Sequence, residues 1–207
     1  MSQTFGKTRW KRFAVVMVPS IAATAAIGVS MAQGALAASF DISGQSFKVS
    51  ADSLHGDGFA QYGTVDKTHD GKAVPVAVSS FKSATITGLC QSVPVDLSAV
   101  GLGTWYMRID AGTQAGNPVT AKNLYIDMTD LQATKATFNG INIGVATGAV
   151  SKGNVSSNDK TDPNAFAQES DSADLTGVKQ TAWATSAGTF ALTGMHLSLA
   201  KSNAECF

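Results

Sequence analysis

Thr134-Lys135-Ala136-Thr137-Phe138-Asn139-Gly140-Ile141-Asn142-Ile143-Gly144-Val145 alternates side-chain character on either side of an Asn-Gly pair. A type I′ turn needs positive φ at both central residues, and Asn and Gly tolerate it best, so the stretch predicts a two-residue hairpin loop. Phe138 would then face Ile141, Ala136 would face Ile143 and Thr134 would face Val145, all on one mostly apolar side. Thr137 with Asn142, and Lys135 with Gly144, would take the other. The expectation is a half-buried antiparallel hairpin.

Neighbouring segments share the period of two. Val74 to Val78 and Phe81 to Leu89 are rich in Val, Thr and Ile, while Trp105, Met107 and Ile109 alternate with Tyr106 and Arg108. Leu124, Ile126 and Met128 alternate with Asn123, Tyr125 and Asp127. Phe47-Lys48-Val49 reads as a strand that His55-Gly56-Asp57-Gly58 interrupts before Phe59 to Tyr62. Asp110 to Pro118 reads as a loop. No segment carries a helical stripe with a cap and a stop, although Pro163 to Gln168 would make one helical turn inside a polar loop spanning 151–174.

Ala84-Thr85-Ile86-Thr87-Gly88-Leu89 and Phe190-Ala191-Leu192-Thr193-Gly194-Met195 fit the pattern of Ala136 to Ile141, with glycines spaced 52 and 54 residues apart. Such spacing hints at a unit used three times. Around the third copy the apolar phase flips, from even at Phe190 and Leu192 to odd at Met195, Leu197 and Leu199. A two-residue loop explains the flip by placing Leu192 opposite Met195, and a β-bulge at Gly194 inside a continuous strand explains it as well.

Residues 1–37 read as a signal peptide. Lys7, Arg9, Lys11 and Arg12 form a basic start, an Ala-rich apolar run follows, and Ala35-Leu36-Ala37 offers a cleavage site. An uncleaved membrane anchor is the competing reading of that run. Four of the 15 basic side chains and none of the 15 acidic ones lie there, which leaves 11 against 15 in residues 38–207, a single β-rich domain. That mild acidity, with Lys and Arg scattered singly, offers no basic patch for nucleic acid or for an anionic membrane surface. Cys90 and Cys206 are the only cysteines, and an even count in an exported chain implies one disulfide.

The segments Phe47 to Tyr62, Asn123 to Gly148 and Lys179 to Phe207 resemble a family of secreted actinobacterial proteins of unknown function. Thr181-Ala182-Trp183-Ala184-Thr185-Ser186-Ala187-Gly188-Thr189-Phe190, Ala136 to Gly144 and the closing Glu205-Cys206-Phe207 carry the likeness. Some members bear an automatic label of cholesterol esterase, which the residues have to support.

They offer little. No Gly-x-Ser-x-Gly elbow occurs, and Ala51-Asp52-Ser53-Leu54 only approximates a lipase block. His196 lacks the Asp three residues before it that such a lipase uses, so no catalytic residue is assigned. Asp66, His69, Asp70 and His55 to Asp57 cluster without the spacing of a calcium loop, so neither a metal nor a cofactor is implied. The expected fold is all-β: an antiparallel curled sheet, barrel or sandwich, with a solenoid still open. The expected function is a non-enzymatic extracellular or cell-envelope protein, either structural and self-associating or binding a lipid or another envelope component. Its hydrophobic face would comprise Phe138, Ile141, Ile143, Phe190 and Leu192, and a lipid or sterol ester hydrolase is the alternative.

Overall fold

The computed structural model describes residues 42–201 and 204–207, so the expected signal peptide lies outside the described residues. The described chain is an antiparallel β structure of nine strands: β1 (Phe47–Lys67), β2 (Ala73–Thr87), β3 (Leu89–Asp96), β4 (Thr104–Ala111), β5 (Val119–Gln132), β6 (Lys135–Asn139), β7 (Asn142–Ala146), β8 (Phe166–Ala191) and β9 (His196–Ala200). Val74, Val76 and Val78 are buried between exposed Ala73, Pro75 and Ala77, as half-buried strands require.

The strands join into four longer paths. β2 and β3 run along the same side of β1 in one register, which places Gly88 opposite Asp52. The end of β5, then β6 and β7 run along β8 in one register, from Leu131 opposite Gln180 to Ile143 opposite Gln168. β8 passes on to β9, which pairs with β4.

The ladders β1–β2, β2–β5, β5–β8 and β8–β1 close a ring. A walk round it along paired residues goes Phe47, Ala182, Met128, Ala77, Gly63 and returns to β1 sixteen residues along. With ~3.3 Å per residue and ~4.8 Å between strands, that shear tilts the strands by about 70° and gives a radius of about 10 Å. Four steeply coiled strands therefore enclose a space that less tilted strands would need twice their number to surround.

Left-handed residues let the strands coil. Gly58, Gly88, Gly177 and Asn123 have φ of +63°, +61°, +59° and +49°. At each, the inward-facing phase changes: Leu54 before and Phe59 after, Ile86 and Leu89, Leu175 and Val178, Ala121 and Leu124 all belong to one buried cluster. A strand that kinks in this way keeps its ladder while swapping the face it presents.

The same device corrects the hairpin reading. β6 and β7 do not pair with each other; both pair with β8, and Asn139-Gly140 lies within their path. Gly140 has φ +61°, whereas Asn139 does not share the positive φ that a type I′ turn demands. Asn139 instead donates its side-chain amide to Ser172 Oγ at 2.9 Å across the ladder. At the third copy no hairpin forms either, since Phe190 pairs with Ala121 and Leu197 with Ile109; nor is the strand continuous, because a turn at Thr193-Gly194 separates β8 from β9. All three repeat glycines, at 88, 140 and 194, have positive φ. What recurs is a left-handed glycine.

Two boundaries also move. β1 runs unbroken through His55 to Gly58, and β8 begins at Phe166, so the polar loop ends well before 174. Ala167, Ser170 and Ala173 are fully buried in the centre of the sheet, where small size matters more than hydrophobicity. Pro163 and Asn164 form a turn, closed by the Ala165 N–H donating to Asp162 O at 2.8 Å, and no helix. The Cys90–Cys206 disulfide ties the C-terminus to β3, with Cα atoms 5.8 Å apart. There the Cys206 N–H donates to Ser92 Oγ at 3.1 Å and Lys48 Nζ pairs with Glu205 at 3.1 Å.

Candidate functional site

The ring is not filled. The β2–β5 ladder ends at Ala77 opposite Met128, although β1–β2 continues to Ala73 and β8 keeps β6 and β7 as partners. Where β2 and the third path part, a cavity of about 240 Å³ remains inside, bordered by exposed Leu131, Ala133 and Ala136 at its mouth. A smaller space of about 30 Å³ adjoins it, sharing Leu54, Ile126, Val178 and Gln180.

Phe59 organises the wall. Its ring lies 5.4 Å from that of Phe81 and 5.2 Å from that of Phe138, both tilted, so β1 brings β2 and β6 together through aromatic contact. Among fourteen lining residues only Gln61, Ser79 and Gln180 are polar and none is charged. Gln61 donates to Ser79 Oγ at 2.9 Å and accepts from Gln168 Nε2 at 2.5 Å, a chain across three strands. Such an enclosure, apolar with a few placed polar groups, suits a small ligand.

Of the sequence-predicted face, Phe138 lines the larger space, Phe190 lines the smaller one, and Leu192 packs against the core. Ile141 and Ile143 are 37% and 66% exposed, so the kink at Gly140 separates them from Phe138. The sequence reading missed Phe59, Phe81, Gln61, Ser79 and Gln180. Each kink resets which parity points inward, so no fixed alternation could have collected them.

The hydrolytic candidates do not assemble. Ser53 Oγ lies 2.7 Å from Thr87 Oγ1, and His196 sits on β9 opposite Asp110. His55 Nδ1 is 2.7 Å from Asp174, which holds the imidazole above its usual pKa, and Nε2 faces Asp57 at 3.5 Å. Among the described residues no three His, Cys, Asp or Glu side chains gather to hold a metal.

The outer face of the ring carries a second charged feature. Tyr62 donates to Asp159 Oδ2 at 2.6 Å and accepts from the Ser156 N–H at 3.0 Å, which docks the 151–165 loop on β1. Burial and then the charge of Asp159 push Asp66 up to about 6; burial and then Asp66 and Asp159 push Asp127 up to about 7. Thr64 Oγ1 and Asp66 Oδ2 are buried there without a hydrogen-bond partner. Glu169 roots the same loop: it accepts from the backbone N–H groups of Ser151 at 2.7 Å and Lys152 at 2.8 Å. Burial acts to raise its pKa, but those bonds, with Asn142 and the Ser151 hydroxyl, overcome this and hold it at about 2.

Residues 43–207 match the model of a family of unknown function. No curated protein and no solved structure matches the chain.

Proposed function

The chain belongs to the DUF6230 family of unknown function, and from that premise we propose that it is a non-enzymatic carrier holding a small apolar molecule inside its β ring. The cavity at the parting of β2 and β5 carries the reading: about 240 Å³ of space whose wall is aliphatic and aromatic. An apolar cavity of ~150 Å³ takes benzene, so this one suits a chain or ring of about eight to ten carbons. A sterol, roughly three times larger, would need the mouth between Leu131 and Ala136 to widen. An extracellular or cell-surface setting accords with the signal-like residues 1–37, the disulfide and the likeness to secreted proteins. Hydrolysis of a lipid or sterol ester is the rival reading, and self-association of a structural protein is the third.

Native mass spectrometry of the disulfide-bonded protein tests the carrier reading, with an eight-carbon alcohol added as a model ligand. The expected result is a one-to-one adduct that Ala136→Trp abolishes by filling the mouth, with thermal stability unchanged. No adduct at millimolar ligand refutes the carrier reading. Turnover of acyl esters, lost on Ser53→Ala, would establish the rival.

A further inference from the structure

The polar groups inside the ring say more about the ligand than its volume does. Gln180 stands where the two spaces join and is only 5% exposed. Its register partners are Val49 on β1 and Leu131 on β5, so both strand neighbours are apolar. No side-chain hydrogen bond is made by Gln180 among the described residues, in contrast to Gln61 and Gln168, which bond each other. The Gln180 amide atoms are not among the buried unpaired groups, so they open onto the cavity. A primary amide offers two donors and an acceptor, and an occupant that covers them without a polar partner would cost about 1 to 3 kcal/mol. Ser79, 3% exposed, accepts from Gln61 and keeps its own hydroxyl proton available to a cavity occupant.

No Lys, Arg or His lines either space. A carboxylate or phosphate drawn inside would lose its hydration with no cation to meet it, whereas an uncharged group exchanges its water for the Gln180 amide. Gln180 presents both kinds of partner, so it satisfies a hydroxyl, which donates and accepts, or a carboxamide equally well. We infer that the ligand is an uncharged amphiphile: an aliphatic or monoterpenoid body of about eight to ten carbons with one hydroxyl or amide group, paired inside the ring to Gln180. This rests on the carrier reading and narrows it by charge and by polar group.

The test compares four eight-carbon compounds, 1-octanol, octanamide, sodium octanoate and n-octane, by titration calorimetry and by NMR shifts of the cavity methionine Met128. The disulfide-bonded protein is used at pH 8, where octanoate is ionised. Octanol and octanamide should bind at least about tenfold more tightly than octanoate. In Gln180→Leu their affinity should fall about tenfold while that for octane holds or rises. Gln180→Met, closer in length, serves should the leucine variant fail to fold. Octanoate binding as tightly as octanol, or an equal loss for octane and octanol in the variants, overturns the inference and leaves the carrier reading standing. If none of the four shifts Met128, the carrier reading itself falls.

Discussion

Asp127→Asn should stabilise the protein at alkaline pH and leave it unchanged in acid. Asp127 sits on the outer face of β5, close enough to Asp66 of β1 and Asp159 of the docked loop for their charges to act on it. Its rise from 3.8 to about 7 corresponds to a ceiling of ~4 kcal/mol against ionisation. Solvent still reaches part of the carboxyl, so about half, ~2 kcal/mol, is the working figure. The sign follows from proton counting. Between about pH 4 and pH 7 the folded protein keeps protons on Asp127 and Asp66 that the unfolded chain releases near pH 4. Stability therefore falls as pH rises through that window and levels above about 7. Thermal unfolding of wild type and variant at pH 4.5 and pH 8, disulfide intact, reads the effect. The variant should gain about 4 to 8 °C at pH 8 and nothing resolvable at pH 4.5. Because both proteins share Glu169 and His55, their titrations cancel in the difference. A variant no more stable at pH 8, or a wild type that strengthens between pH 5 and pH 8, would refute the mutual repulsion of these carboxylates.

Three other expectations follow from the same geometry. Gly140→Ala and Gly88→Ala should each cost about 1 to 2 kcal/mol in denaturant unfolding, since both residues are left-handed and a Cβ would meet Asp171 or Asp52. Gly44→Ala, in open space, is the control and should stay within ~0.5 kcal/mol. Reducing the disulfide, which closes a loop of 116 residues, should cost about 4 to 5 kcal/mol in the chain-entropy account, read as a lower Tm after mild reduction. Glu169→Gln at pH 7 should cost about 1.5 to 3 kcal/mol by removing the charge from the loop's two backbone N–H bonds, and should speed proteolysis within 151–165. The depressed pKa makes that contribution one that is present above about pH 4.5 and lost as pH falls towards 2.

Among the described residues no side-chain hydrogen bond joins Ser53 to His55 or His196. Ser53 and His55 lie on a polar outer face, bonded to Thr87 and Asp174, whereas the cavity is on the inner side of the same strand. The cavity and these groups are separated by the sheet itself.

Local sequence determined the composition of the strands. Period-two runs such as Val74 to Val78 and Leu124 to Met128 do form strands, the lack of capped helical stripes does mean an all-β fold, and Cys90 does bond Cys206. These follow from side-chain shape and redox chemistry, which act over a few residues or by elimination. The recurring Thr-Gly and Asn-Gly pairs were legible as sites of left-handed backbone, but the same glycine serves a turn or a kink. Only tertiary structure decided between them: β8 offers partners to both Lys135–Asn139 and Asn142–Ala146, so the chain runs on along β8 past Gly140 and keeps those hydrogen bonds instead of folding back on itself. The polar run from Phe166 to Asp174 looked like loop for a similar reason, since its place between two strands is fixed by partners distant in sequence. The cavity is further still from local reading. Phe59, Phe81, Phe138 and Gln180 come from four strands whose inward parity resets at each kink, and a shear of sixteen residues brings them round one space.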